Sequence, residues 1–292
     1  MSDTSQGFID VCDAEGRIVP LVVQGHTIVP RERLAANVLL NMERGTPRFL
    51  ANSGRGIRQD EPIAIISGGP SLAQNLDRVR GFRHIIACGS VHDYLRRQGI
   101  VPTYAAVSDA GKDDRHNLAL AHPDTTFLLA SQCDPGLYEH LKGHKVEMWH
   151  YAGQAADIQS EEEARMFRGE RTMTWGGMVT LSAISLALQM GFQHHHHFGF
   201  DGSYGDHGLK SHVEPVAGGK DYDKVLFTVP ADDPNGRRFI SDMNFAEQAN
   251  QYFRLVEYLA PWVHSHLYGD GMTVEMVKCG DPGLATFITL ME

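Results

Sequence analysis

Four consecutive histidines, His194–His197, lie deep inside the chain within the sequence QHHHHFGFDGSYGDHG at residues 193–208. Alternation along a strand would place the odd-numbered and the even-numbered histidines on opposite faces. Two histidines two positions apart can share a metal, which Asp201 or His207 could complete. A strand buried between helices leaves little room for a metal, whereas neutral imidazoles are tolerated there when each nitrogen finds a partner. We therefore interpret the run as a structural strand and predict no metal; a metal site and a nucleotide-linked or pH-linked role are the alternatives.

The turn that follows this strand carries side chains suited to group transfer. Asp201 ends the strand, where its carboxylate could meet a ribose hydroxyl, a metal-bound phosphate or an acceptor. Tyr204 can hold a phosphate oxygen. His207 and His212 are candidates for a general base, because imidazole titrates near the working pH. The alternative for each histidine is an exposed loop position without a role.

A glycine turn at the first core strand, in IAIISGGPSL, is a second candidate site. Gly68 and Gly69 follow the apolar strand, and Pro70 and Ser71 begin a helix. Glycines allow close approach to the backbone, and the N–H groups of a helix start can hold a phosphate. The pattern is neither GxGxxG nor GxxxxGK[ST], which disfavours an ordinary dinucleotide fold and a Walker-type kinase. A tight turn without a ligand is the alternative. We expect Gly69→Val to block a phosphate without unfolding the chain.

Two further strand ends carry small or acidic residues. The sequence ACGS ends with Gly89 and Ser90, and SDA contains Ser108 and Asp109. Ligands of open parallel sheets collect beyond the carboxyl ends of the strands. We therefore predict that these residues share one nucleotide-binding edge with the glycine turn.

Short apolar strands alternate with helices from residue 61 onwards, which predicts an α/β, Rossmann-like, mostly parallel sheet with helices on both faces. Residues 1–60 are expected to form an N-terminal arm and helix, and residues 61–292 a nucleotide-binding transferase domain. Residues 210–240 are rich in Gly, Pro and Asp and are expected to form a long loop or lid. The sequence WVHSHLYG is expected to be the last strand, followed by an irregular tail.

The bulk composition excludes several classes of protein. The 292 residues carry a formal net charge of −10, which disfavours broad nucleic-acid binding. The four cysteines form no CxxC pair, as expected in a reducing compartment. The N-terminus has no export pattern, and the longest apolar segment, residues 178–190, is too short to span a membrane. We expect a cytoplasmic protein without a membrane span; a homo-oligomer is compatible with the sequence, which does not specify the state.

Two blocks of the sequence resemble the 6-hydroxymethylpterin diphosphokinase MptE-like family, which includes the bacterial motility-associated (Maf) factors. The first runs from Gly68–Leu72 to Gly99–Asp109, and the second is GGMVTLSAISLALQMGFQHHHHFGFD. The family is more distantly related to bacterial sialyltransferases that use a CMP-sugar donor. The resemblance covers roughly residues 30–275 and implies the fold and nucleotide binding, but not the substrate. Family members carry a histidine beyond the GFD turn, at a spacing similar to that of His212. The resemblance therefore favours His212 over His207 as the base.

Three functions are compatible with these observations. The favoured one is a glycosyltransferase-like enzyme that moves a sugar from a CMP-type nucleotide donor to an acceptor hydroxyl. The second is a diphosphokinase that transfers pyrophosphate from ATP, with Mg²⁺ held by Asp109 and Asp201. The third is a nucleotide-binding protein without catalysis. A triphosphate with Mg²⁺ needs several carboxylates and cations, and no dense basic cluster accompanies the two aspartates. Because a CMP-sugar presents one phosphate, the sequence favours glycosyl transfer; the acceptor is not specified.

Overall fold

The computed structural model describes residues 5–12, 18–25, 29–49, 60–111, 114–151, 172–173, 178–205, 211–214, 223–230, 233, 235–279 and 287–291. The strands within these ranges are β1 (Ser5–Cys12), β2 (Ile18–Gly25), β3 (Pro62–Ile66), β4 (His84–Cys88), β5 (Tyr104–Val107), β6 (Thr126–Ala130), β7 (Lys145–Tyr151), β8 (Thr172–Met173), β9 (His194–Phe198), β10 (Val225–Val229), β11 (Arg237–Ser241), β12 (His264–Tyr268) and β13 (Ile288–Met291). The helices are α1 (Arg31–Met42), a 3₁₀ helix (Pro70–Asn75), α2 (Leu76–Val79), α3 (Val91–Arg97), α4 (Asp114–Asn117), α5 (Pro135–His140), α6 (Val179–Gln189), α7 (Met243–Leu259) and α8 (Met272–Cys279).

Nine of the described strands form one sheet in the order β13-β12-β9-β3-β4-β5-β6-β7-β8. Each neighbouring pair is parallel. The predicted Rossmann-like fold is confirmed. The chain builds outwards from β3 to β8 on one side and from β9 to β13 on the other, so the strand order reverses between β3 and β9. Such a switch point is where open α/β sheets bind ligands.

Both faces of β3 are buried, which explains why its sequence is a continuous apolar run. Ile63 and Ile65 face the larger hydrophobic cluster, to which α6 and α7 contribute. Ala64 and Ile66 face the smaller cluster, which includes Leu72 of the 3₁₀ helix and side chains of α3. Helices therefore cover the sheet on both sides of its centre.

The histidine run forms β9, and its predicted alternation is confirmed. His195 and His197 are fully buried, whereas His194 and His196 are partly exposed. His195 Nε2 lies 3.1 Å from the carbonyl oxygen of Phe192, and His197 Nδ1 lies 2.7 Å from the hydroxyl of Tyr252. Burial lowers the pKa of His195 to about 3 and that of His197 well below its usual value. Both imidazoles are therefore neutral and packed in the core. Only one nitrogen of each is bonded, because Nδ1 of His195 and Nε2 of His197 have no hydrogen-bond partner among the described residues.

Two predictions for the C-terminal third of the chain were wrong. Residues 210–240 were expected to be a loop, but β10 and β11 pair there as an antiparallel hairpin. Phe227 and Phe239 of this hairpin pack with Met272 of α8, which gives the two strands an apolar face to cover. β12 is also not the last strand, because β13 pairs with it in parallel and buries Ile288.

The helix before the sheet packs against it by specific hydrogen bonds. Asn41 of α1 donates from Nδ2 to the carbonyl oxygens of Ser131 and Cys133, at 2.9 and 2.8 Å. The expected N-terminal arm contains β1 and β2, which pair in an antiparallel hairpin. The domain boundary at residue 60 stays a prediction. In the part of the chain that the structure describes, no helix has the length and apolarity needed to cross a membrane.

Candidate functional site

At the switch point, the carboxylate of Asp201 accepts hydrogen bonds from the backbone N–H and from the hydroxyl of Ser71. The backbone N–H of Ser71 donates to Oδ2 at 2.7 Å, and its hydroxyl donates to Oδ1 at 2.5 Å. Asp201 comes from the end of β9 and Ser71 from the helix that follows β3, so this contact joins the two halves of the sheet. The helix start that was expected to hold a phosphate thus donates to a carboxylate of the protein.

Burial dominates the electrostatics of Asp201, which is 4% exposed. The pKa of its carboxyl is raised to about 6 because desolvation disfavours the charged form, while the two hydrogen bonds from Ser71 lower it and Asp270 raises it further. Asp201 is therefore partly protonated near neutral pH. Its position suits a fixed contact between strands β3 and β9.

The two glycines of the turn have different surroundings. A Cβ on Gly69 would lie 2.6 Å from Asp201 Oδ2 and closer still to the carbonyl oxygen of Gly199. A side chain at Gly69 would thus strike the end of β9, and Gly69→Val is expected to destabilise the fold rather than to block a ligand selectively. A Cβ on Gly68 would instead lie 2.9 Å from Cδ2 of His212, a side-chain atom. Gly68 is therefore the glycine that faces the site.

A cleft of about 200 Å³ lies beside Gly68 at the carboxyl edge of β3 and β4. Its walls are the glycine turn, α3, α4 and the segment 211–214. The residues that line it are Gly68, Ser90, Val91, Asp93, Tyr94, Arg97, His116, Asn117, His212, Val213 and Glu214. Ligand sites of drug size occupy roughly 300–1,000 Å³, so this volume suits part of a nucleotide.

His212 is held over the glycine turn by its neighbours. The backbone N–H of Val213 donates to the carbonyl oxygen of Gly68 at 2.7 Å. His212 Nδ1 lies 2.9 Å from Oγ of Ser211, and when Nδ1–H donates to that hydroxyl, Nε2 carries the lone pair. Burial lowers the pKa of His212, and the carboxylate of Asp242 opposes this effect. The imidazole is therefore neutral at pH 7 and able to accept a proton.

Tyr204 is linked to the start of α7 through Asp242. Its hydroxyl donates to Oδ2 of Asp242 at 2.7 Å, while Oδ1 accepts from the backbone N–H groups of Asn244 and Phe245 and so caps α7. The ring of Phe245 lies 5.3 Å from the ring of Tyr204 and 6.3 Å from that of His212. The structure thus gives Tyr204 a carboxylate partner in place of the expected phosphate.

The other predicted residues are placed as follows. Gly89 has φ +56° and makes the turn into α3, where Ser90 lines the cleft. Pro70 begins the 3₁₀ helix beside the cleft. Ser108 and Asp109 end β5 at the same edge but do not line the cleft; Asp109 is exposed and accepts from the N–H of Gly111 at 2.8 Å. His207 lies outside the described residues.

Sequence reasoning missed most of the wall that α3 supplies. Asp93, Tyr94 and Arg97 follow Ser90 at spacings of three, four and seven residues, which places them on one helix face. That spacing, directly after a strand end with a small-residue turn, was the available signal. His116 of α4 carried no comparable signal, because its neighbours show no clear periodicity.

The carboxylates of Asp201 and Asp93 are already bonded within the protein, and Asp109, the other carboxylate expected to hold Mg²⁺, does not line the cleft. Both oxygens of Asp201 are bonded to Ser71, and both oxygens of Asp93 accept from the N–H of Leu120 at 3.2 Å. Oδ1 of Asp93 also lies 2.7 Å from Nδ1 of His92. Among the residues that the structure describes, no group of three His, Cys, Asp or Glu side chains is arranged to hold a metal. We therefore derive no step through Mg²⁺.

The parallel sheet and the polar cleft at the carboxyl ends of its central strands β3 and β4 are typical of nucleotide-binding α/β proteins. The model of the family described as 6-hydroxymethylpterin diphosphokinase MptE-like matches residues 32–207. The match covers more than half of the chain, and the chain belongs to this family. The resemblance noted in the sequence is thus confirmed, and the family is of the transferase type. No curated protein matches the chain.

A solved structure shares this fold. The Maf glycosyltransferase from Magnetospirillum magneticum AMB-1 superimposes with a TM-score of 0.63 at 16% identity, over 90% of this chain and 38% of that one. This chain thus spans well under half of the Maf protein. The sialyltransferase CstII from Campylobacter jejuni, solved with cytidine-5'-monophosphate, matches 80% of this chain and 86% of its own, with a TM-score of 0.39 and 13% identity. At 16% identity the likeness to the Maf glycosyltransferase is one of fold.

Proposed function

We propose that the protein is a nucleotide-dependent, glycosyltransferase-like enzyme that moves a sugar from a CMP-type donor to an acceptor hydroxyl. The observation that carries the proposal is the position of His212 over Gly68, beside a cleft at the carboxyl ends of β3 and β4. Membership of a transferase-type family and the fold shared with a Maf glycosyltransferase support group transfer. The donor would lie in the cleft with its phosphate beside the glycine turn.

In this reaction the acceptor oxygen attacks the anomeric carbon of the sugar. The new bond forms as the bond between that carbon and the phosphate oxygen breaks, and the nucleotide leaves with the electron pair. Nε2 of His212 takes the proton of the hydroxyl. Because burial lowers the pKa of His212, the imidazole is unprotonated at pH 7 and ready for this role.

The charges around the cleft favour a donor with few negative charges. Arg97 is the only Lys or Arg among the described lining residues, and it is paired with Glu214. A diphosphokinase that uses ATP would need Mg²⁺ and several cations around three phosphates. The description of the family supports this second function, transfer of pyrophosphate to a hydroxymethylpterin. The described carboxylates and cations favour the first.

A thermal-shift panel of CMP, UDP, GDP, ADP and ATP, each with and without Mg²⁺, separates the two functions. A ligand that binds only the folded state raises its stability by mass action. We expect stabilisation by CMP without a requirement for Mg²⁺. Stabilisation by ATP that depends on Mg²⁺ would support the diphosphokinase instead. Nucleotide binding without turnover in any donor and acceptor combination would indicate a binding protein.

His212→Ala tests the base directly. We expect nucleotide affinity to remain near that of the native protein and turnover to fall ~10²–10⁴-fold, the typical contribution of a positioned base. His122→Ala, which removes a histidine that does not line the cleft, is the matched control and should leave turnover unchanged. Full turnover in the single variants and in the double variant of His207 and His212 would place the base elsewhere, with Asp201 next to be tested.

A further inference from the structure

An ion pair closes one side of the cleft. Arg97 in the last turn of α3 donates from Nη2 to Oε1 of Glu214 in the segment 211–214. The two side chains are 48% and 28% exposed. The same segment is tied to the glycine turn by the hydrogen bond from Val213 to Gly68. Arg97 and Glu214 therefore face the same space as Gly68 and His212.

We propose that Arg97 binds the phosphate of the nucleotide donor. Without a donor, the carboxylate of Glu214 occupies the place on the guanidinium that the phosphate would take, and the phosphate displaces it. This inference rests on the proposed function, because it assigns the anion-binding residue of that site. Glu214 would then set the affinity of the site for anions.

The chemistry of the guanidinium supports the exchange. Carboxylates and phosphates bind arginine with the same planar, two-pronged geometry, so one can replace the other. Among the described lining residues, Arg97 is the side chain that is always cationic, and the histidines 116 and 212 are the others that can become so. A donor phosphate in this cleft therefore has Arg97 as its permanent cationic partner.

Because both side chains are partly exposed, separating Glu214 from Arg97 costs little free energy. Ion pairs between exposed side chains contribute little to stability, because water solvates both charges well. Separating Glu214 from Arg97 therefore opposes binding only weakly. The contrast is with Asp201, which is buried, accepts two hydrogen bonds from Ser71, and cannot leave without exposing those donors to an apolar surrounding.

Glu214→Gln is the decisive variant, because glutamine keeps the size of the side chain and removes its charge. If the carboxylate competes with phosphate, its removal should tighten the binding of every anion that uses Arg97 by a common factor. From the strength of an exposed pair that factor is about fivefold. The gain should shrink at high ionic strength, because salt screens exposed charges.

The experiment is isothermal titration of the full chain with CMP, inorganic phosphate and pyrophosphate. Arg97→Gln should weaken all three ligands at least tenfold, and Arg97→Lys should recover part of the loss. Glu139→Gln is the matched control, because it removes the carboxylate charge from a second exposed ion pair, Arg44–Glu139. This pair lies beside the amino ends of β6 and β7. This control should leave all affinities unchanged.

The outcomes separate the inference from the proposed function. Tighter binding of CMP by Glu214→Gln, lost with Arg97→Gln, supports both. Equal binding of CMP by the native protein and Glu214→Gln overturns the inference and leaves the function standing. Binding of phosphate or pyrophosphate that depends on Arg97, without binding of any nucleotide, supports the inference and overturns the function. Absence of anion binding in every variant overturns both. If Arg97→Gln does not fold, the comparison of Glu214→Gln with Glu139→Gln decides.

Discussion

Replacing Asp201 by asparagine should make the protein more stable at neutral pH. The pKa of this carboxyl is raised from 3.8 to about 6 in the folded state, so the folded protein holds a proton that the unfolded chain has released between those values. The contribution of Asp201 to stability is therefore highest below pH 4 and is lost as the pH rises through 6. A shift of about two units corresponds to about 3 kcal/mol at 1.36 kcal/mol per unit.

Asparagine resembles the protonated acid and keeps both contacts with Ser71. Its Oδ1 can accept from the backbone N–H, and its Nδ2 can donate to the hydroxyl. We expect Asp201→Asn to match the native protein at pH 4 and to exceed it by up to about 3 kcal/mol at pH 7.5. Asp201→Ala, which leaves both Ser71 donors without this acceptor, should lose about 1–3 kcal/mol at either pH.

Urea unfolding of the three proteins between pH 4 and pH 8 measures these differences. Subtracting one curve from another removes the contribution of the other titrating groups. The reasoning about burial fails if Asp201→Asn is less stable than the native protein at pH 7.5, or if their difference does not change with pH. The same variant examines the catalytic alternative, because a folded Asp201→Asn protein with normal turnover cannot use this carboxylate in the reaction.

Two further predictions concern the glycine turn and the histidine strand. Gly69→Ala should lower the melting temperature strongly, because its Cβ would strike the end of β9. Gly68→Ala should displace only His212 and should change nucleotide affinity with little loss of stability. Thermal unfolding and nucleotide titration of both variants check this, and equal melting temperatures would contradict it. The native protein should lose stability as the pH falls below 6.5, because the lowered pKa of His195 means that the folded state resists protonation. His195→Gln, which can still donate to Phe192, should flatten this loss in acid denaturation curves, and an unchanged slope would refute that assignment.

The sheet could be predicted because β3, β4 and β5 are short, mostly apolar runs that end in small-residue turns. The hairpin of β10 and β11 could not, because its strands are separated by Pro, Asp and Gly and pair only with each other among the described strands. β13 was missed because four residues give too short a pattern to distinguish a strand from an irregular tail. Both also depend on other elements: the hairpin packs on Met272 of α8, and β13 pairs with β12.

The edge of the sheet that carries the site was also predictable, but the partners within it were not. The contact between Ser71 and Asp201 joins residues 130 positions apart, and no local pattern encodes it. Tyr204 was assigned to a phosphate because tyrosine can bind one, yet Asp242 accepts from its hydroxyl. Such pairings depend on which segments the tertiary fold brings together.

Two carboxylates of the protein thus stand at positions where a nucleotide-binding edge would place anions. Asp201 binds the start of the helix after the glycine turn, and Glu214 binds the guanidinium of Arg97. Burial gives them different roles: the desolvated Asp201 with two short hydrogen bonds is a permanent part of the fold, while the exposed Glu214 is held weakly enough to be exchanged. In the proposed function the phosphate would therefore lie away from Ser71, beside Gly68 and α3, and the donor would lie under His212.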